Sequence, residues 1–129
     1  MKRITHGILI LIVSCVFTVS LHSEFGPTAV IKWEDITMDF GQIPHNKPIV
    51  VEFNFQNPGM MPLIITSVKP SCGCTIADFP KEPIPSGGAG IISITFDAKS
   101  SGHFSKTITV HSNTEEGITN LFIRGEVIK

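Results

Sequence analysis

Two cysteines separated by one glycine, Cys72-Gly73-Cys74, are the residues whose type and spacing most directly invite chemistry. One use is a disulfide. In an extended backbone, side chains two residues apart point the same way, with Cα atoms about 6–7 Å apart. Bridged cysteines sit 4.4–6.8 Å apart, so closure needs a bend, which Gly73 permits. As a staple the bridge is weak. A three-residue loop gives about 1.6 kcal/mol of chain-entropy stabilisation before strain is subtracted. Small strained bridges are also the readily reduced kind, which motivates a redox pair. A second use is metal binding. Two thiolates grip Cu(I) or Zn, and His103 or His45 would complete the site. A full zinc signature has two spaced ligand pairs, however, and here there is one. The third use is packing: two small apolar side chains beneath a tight turn, with the hydroxyls of Ser71 and Thr75 satisfying its backbone.

Other chemical motifs lose force on inspection. Asp39-Phe40-Gly41 is spelled like the metal-binding triplet of kinases, but no glycine-rich phosphate loop accompanies it. It reads instead as the end of a strand, with Phe40 in the core and Gly41 turning. No serine lies in a Gly-x-Ser-x-Gly elbow, and no carboxylate pair stands out for glycoside chemistry. His45, His103 and His111 are isolated near loops and read as solvated. Met60-Met61 reads as an apolar loop rim. The sequence therefore offers no catalytic residues and implies no cofactor.

The chain opens like an export leader. Met1-Lys2-Arg3 precedes the apolar stretch Ile8–Leu21, whose fourteen residues are short of the roughly 20 that span a bilayer. Two processing routes are open. Simple cleavage near Ser20 or Ser23 gives a signal peptide over 1–23 and a linker over 24–30. Alternatively, Ile12-Val13-Ser14-Cys15 resembles a lipobox, with Cys15 acylated. The apolar residues after Cys15 count against the second route. Without the leader, eight basic residues face eleven acidic ones, so the mature chain carries a charge of about three negative. It has neither a basic patch for nucleic acid nor a cationic face for membranes. Its only expected membrane attachment is a lipid at Cys15. The remaining residues, about 105, make one domain.

That domain, 31–129, reads as all-β. From Glu24 onward, nine prolines and ten glycines leave no room for an amphipathic helix. The apolar residues alternate instead: Val51, Phe53 and Phe55; Ile92, Ile94 and Phe96; Phe104, Ile108 and Val110; Leu121, Ile123 and Val127. Lys106 breaks this parity, which predicts a sheet edge or bulge there. Turn signals such as Asn57-Pro58-Gly59, Lys69-Pro70 and Pro85-Ser86-Gly87-Gly88 divide the chain. Seven strands are expected, over 31–41, 49–56, 62–68, 75–79, 90–97, 103–111 and 118–127. That count and spacing predict a seven-stranded immunoglobulin-like sandwich. Trp33 and Ile31 are expected to pack the first strand onto it.

Asp39-Phe40-Gly41, Phe53-x-Phe55-x-Asn57, Pro62-Leu63-x-Ile65, Ser71-Cys72-Gly73-Cys74-Thr75, Pro83-Ile84 and Phe104-x-Lys106-x-Ile108-x-Val110-x-Ser112-Asn113 stand in this order. Together they resemble the bacterial domain-of-unknown-function family fifteen-seventy-three, exported domains frequent in Bacteroidetes. The resemblance covers about residues 31 to 128. It implies an immunoglobulin-like fold similar to PapD, major sperm protein and ASH domains, and no established activity. The expected role is a noncatalytic exported module for protein binding or cell-envelope assembly, with an unidentified envelope protein as partner. Its expected place is the periplasm or outer membrane of a Gram-negative bacterium. The alternative is a periplasmic Cu/Zn or redox protein using Cys72 and Cys74. Sandwich topology places Cys72, Cys74, His45 and His103 at one pole, and the chain enters at the other.

Overall fold

The structure is a computed structural model, and it describes residues 28–129. The leader, its cleavage positions and Cys15 lie outside the described residues. Among the described residues, eight strands form two four-stranded sheets. They are β1 (Lys32–Trp33), β2 (Thr37–Pro44), β3 (Ile49–Gln56), β4 (Ile65–Pro70), β5 (Thr75–Asp78), β6 (Ala89–Phe96), β7 (Gly102–Ser112) and β8 (Ile118–Ile128). One sheet runs β1-β3-β6-β5 and the other β2-β8-β7-β4.

The alternation has the expected cause. Each strand turns one face to the space between the sheets and the other to solvent. Phe53, Phe55, Ile92, Ile94 and Phe96 from one sheet meet Phe104, Ile108, Val110, Leu121, Ile123 and Val127 from the other, all buried. Phe96 stacks on Phe104 with centroids 4.2 Å apart, which joins the two sheets directly.

The expected first strand is in fact two. Trp33 pairs with Phe55 of β3 and packs on its ring, centroids 5.2 Å apart. The exposed pair Glu34-Asp35 then breaks the alternation, and the chain crosses to the other sheet. From Ile36, whose carbonyl accepts from Phe122 N–H, it runs parallel to β8. This division makes eight strands rather than seven. Nor does Asp39-Phe40-Gly41 end a strand. The pairing slips between Asp39 and Gln42, and Gly41 sits at φ +61°, so the triplet is a bulge inside β2. Phe40 is half-buried, 6.4 Å from the Phe104 ring.

The third strand is shifted as well. Leu63 forms a separate bridge with Ile84, and β4 begins only at Ile65. Lys69-Pro70 lies within β4, not in a turn. Proline is tolerated there because β4 is an edge strand. Lys106 lies on interior β7, but past the point where β4 stops pairing at Pro70–Ile108. It is half-buried on a stretch that is locally an edge.

The loops segregate to two poles. At one, Asn46 N–H donates to Ala98 O, and Asp97 N–H donates to Cys74 O. At the other, buried Asn57 donates through its amide to Met61 O (2.7 Å) and Ile84 O (3.0 Å). Its Oδ1 accepts from Gly59 N–H. Asn113 donates to Pro62 O and accepts from Ile64 N–H at this second pole. The chain enters here too. Ala29 is buried and bridges to Thr114.

Candidate functional site

Cys72 and Cys74 occupy the crossing from β4 of one sheet to β5 of the other. Both ends of the crossing are tied down. Ser71 N–H donates to Thr107 O (2.8 Å), and Thr107 N–H donates to Ser71 Oγ (3.1 Å). Beyond the turn, Cys74 O accepts from Asp97 N–H (3.0 Å). Between these anchors the backbone bends, and the Cα atoms of the two cysteines come to 5.3 Å. That bend is what an extended segment lacks, and the two sulfurs are joined in a disulfide.

The bridge is half-buried. A Cβ added at Gly73 would meet nothing within 4 Å, so the outer side of the turn is open. Cys74 packs against the core cluster. Beneath the bridge lies Thr75, a buried polar residue. Its Oγ1 stands 3.6 Å from Cys72 Sγ and 3.8 Å from Cys74 Sγ. A bridged sulfur carries no proton, so the hydroxyl is the donor. The sequence placed this hydroxyl with the backbone of the turn; it faces the sulfurs instead.

The histidines do not join the pair. His45 Nε2 lies 2.8 Å from Lys99 O at the cysteine pole. His103 projects from the outer face of β7, 86% exposed, with Nε2 4.0 Å from Glu126 Oε1. Among the described residues, no three His, Cys, Asp or Glu side chains gather in a way that would hold a metal ion. His111 also lies on the outer face of β7, paired in register with Ile118.

The outer face of the β1-β3-β6-β5 sheet holds a feature that the strand parities contained but the sequence reading passed over. Val50, Thr95 and Ile76 lie in one row across β3, β6 and β5. Val50 is 63% and Ile76 70% exposed. The next row carries Glu52, Ser93 and Asp78. Among the described residues, the four-residue strand β5 pairs only with β6 and closes this sheet with an open edge. On the opposite sheet the outer face is mixed: Ile118 and Phe122 of β8, 51% and 36% exposed, alternate with Asn120 and Arg124. There Arg124 Nε donates to Asp39 Oδ2 at 3.0 Å. The backbone N–H of Gly41 holds the Asp39 carboxyl below its ordinary range, and Arg124 adds to that.

Comparison with known proteins places these features in context. The model of the family described as protein of unknown function (DUF1573) matches residues 31–127. Among curated proteins, none matches the chain in sequence. A protein of unknown function from Porphyromonas gingivalis W83 superposes with a TM-score of 0.70 at 20% identity, over 78% of this chain and 48% of that one. This chain thus spans about half the length of that protein. The ASH/PapD-like domain 7 of human CEP192 superposes with a TM-score of 0.63 at 12% identity, over 81% of this chain and 89% of that one. The VesB protease of Vibrio cholerae superposes with a TM-score of 0.59 at 13% identity, over 79% of this chain and 32% of that one. At these identities the likeness is one of fold, a PapD-like immunoglobulin sandwich.

Proposed function

We propose that this chain, which belongs to the DUF1573 family of proteins of unknown function, is an exported, noncatalytic module that binds another protein of the cell envelope. The observation that carries this reading is the β5 edge with the aliphatic row beside it. Ile76 and Val50 are large apolar side chains left mostly in water. They flank Thr95 on a sheet whose last strand has unpaired backbone groups along one side. A partner strand laid along β5 would take up those backbone groups and cover Ile76. β8, by contrast, is flanked by β2 and β7 and offers no free edge. The basic-then-apolar start of the chain supports export to the periplasm or outer membrane. Because the described chain enters at the pole opposite the cysteines, a lipid at Cys15 would leave the cysteine pole facing away from the membrane.

Site-specific photo-crosslinking in the native envelope tests this. A crosslinker at Ile76 should trap a discrete protein partner, and one at Thr109, in the polar row with Lys69 and Asn120 on the other sheet, should not. Purified partner should then lose affinity for Ile76→Lys, whose charge opposes burial at the edge. Equal trapping from both faces, or undiminished affinity of Ile76→Lys, would refute the edge as the binding site.

A further inference from the structure

We propose that the Cys72–Cys74 bridge is a thiol–disulfide exchange site for a dithiol partner, with the Thr75 hydroxyl stabilising the sulfur that leaves. This goes beyond the binding role and stands independently of it.

Three observations converge. The bridge closes a loop of three residues whose ends are already held by the Ser71–Thr107 and Cys74–Asp97 hydrogen bonds. Opening it therefore removes no anchor of the fold. The turn is also accessible, with open space where a Gly73 side chain would stand. Finally, Thr75 keeps a hydroxyl at a buried position, within reach of either sulfur at 3.6 Å and 3.8 Å. For packing alone, valine would fill that space without desolvating a polar group. A disulfide sulfur is a weak acceptor, whereas a thiolate is a strong one. The hydroxyl is thus worth most at the moment the bridge opens.

The chemistry follows from which sulfur packs inward. Cys74 rests on the core, so an incoming thiolate approaches Cys72. It forms a bond to Cys72 Sγ as the Sγ–Sγ bond breaks, and the electron pair leaves on Cys74 as a thiolate. Burial alone would disfavour that charge, and the Thr75 O–H offsets this by donating to it. The partner's second thiolate then attacks its own sulfur in the mixed disulfide. Cys72 departs as a thiolate and takes a proton from water, as Cys74 does in turn. The chain gains two electrons and two protons, and the dithiol becomes a disulfide.

The test uses the protein purified from the envelope with its bridge oxidised. Reduction by dithiothreitol under native conditions is followed by acid quench, alkylation and mass analysis of the peptide carrying Cys72 and Cys74. The native bridge should open without denaturant. Thr75→Val should slow opening about tenfold, the worth of one hydrogen bond to a charged group. Thr75→Ser, which restores the hydroxyl, should stay within about twofold of the unaltered protein. Trapping with glutathione, a monothiol, needs no variant and should place the adduct on Cys72. A bridge that opens only after the chain unfolds would overturn the proposal. So would an adduct on Cys74, or a folded Thr75→Val that opens at the unaltered rate.

Discussion

Asn57 holds the pole opposite the cysteines together, and replacing it should be costly. Its side chain is fully buried and makes three hydrogen bonds: amide to Met61 O, amide to Ile84 O, and Oδ1 from Gly59 N–H. Its backbone adds two more, N–H to Gly88 O and O from Gly87 N–H. Alanine keeps the backbone pair and removes the side-chain three. At about 1 kcal/mol each, the loss is about 3 kcal/mol, from a total of about 5–15 kcal/mol. With a urea slope of about 1.5 kcal/mol/M, the denaturation midpoint should fall by about 2 M. Asn57→Asp is the sharper probe because it keeps the shape. Its carboxylate would face the Met61 and Ile84 carbonyl oxygens in a buried site, so its folded-state pKa must rise above the ordinary carboxylate value. A raised folded pKa means the acid is least harmful when protonated. The deficit of this variant should therefore shrink as pH falls from 7 toward about 4 and widen again as pH rises. Equilibrium denaturation of the three proteins at pH 7 and pH 4.5 decides the matter. An alanine variant within about 0.5 kcal/mol of the unaltered protein would show that the loop closes without these bonds. An aspartate variant with no pH-dependent deficit would show that the site admits water.

Three further outcomes are expected. In Gly90→Ala, the added Cβ would press into the Phe55 ring, itself confined by Trp33; thermal melts should show a loss of about 1–3 kcal/mol, partly restored when Phe55→Leu makes room. The Asp39 carboxyl should titrate below its ordinary value by NMR, and Arg124→Met should raise it without carrying it above that value, because the Gly41 N–H is the largest single cause. Its depressed pKa contributes stability that is present above about pH 4 and is lost as pH falls through the folded value; a value above the ordinary one in Arg124→Met would reverse the ranking of causes. The double change Cys72→Ser with Cys74→Ser should cost no more than about 2 kcal/mol and leave β-rich circular dichroism intact; a loss of 4 kcal/mol or more, the scale of a core deletion, would make the bridge a structural element.

The core was readable because a sandwich imposes one rule on every strand. Phe53, Phe55, Ile94, Phe96, Ile108 and Ile123 share inward parity, and all six are buried. The division of residues 31–41 between two sheets was not readable. Both halves are extended, and the choice of partner, β3 for Trp33 and β8 for Thr37 onward, is made by packing far away in sequence. Asn57 was legible as a turn residue but not as a hub, since its acceptors on Met61 and Ile84 converge only when two loops meet. The position of His103 was available and went unused. Phe104 points inward, so its neighbour must point outward, away from the space between the sheets. Loop topology told which pole the histidine is near, and parity told which way it faces; a metal site needs both.

The place of the bridge in the fold sets what kind of work it can do. A stabilising disulfide joins segments that would otherwise drift apart in the unfolded chain, and its effect grows with the loop it closes. Cys72 and Cys74 are already neighbours, so the unfolded chain loses less by their linkage than it would by closing a long loop. What the bridge does constrain is the one short turn that hands the chain from β4 to β5, and β5 is the edge strand that carries Ile76. Opening the bridge would relax the entry to that strand while Ser71 and Cys74 stay tied to their sheets. Redox state and edge geometry thus meet in residues 72–76. Affinity measured for oxidised and reduced protein should differ if the partner docks on β5. Identical affinities, with the bridge verified open in one sample, would separate the two sites.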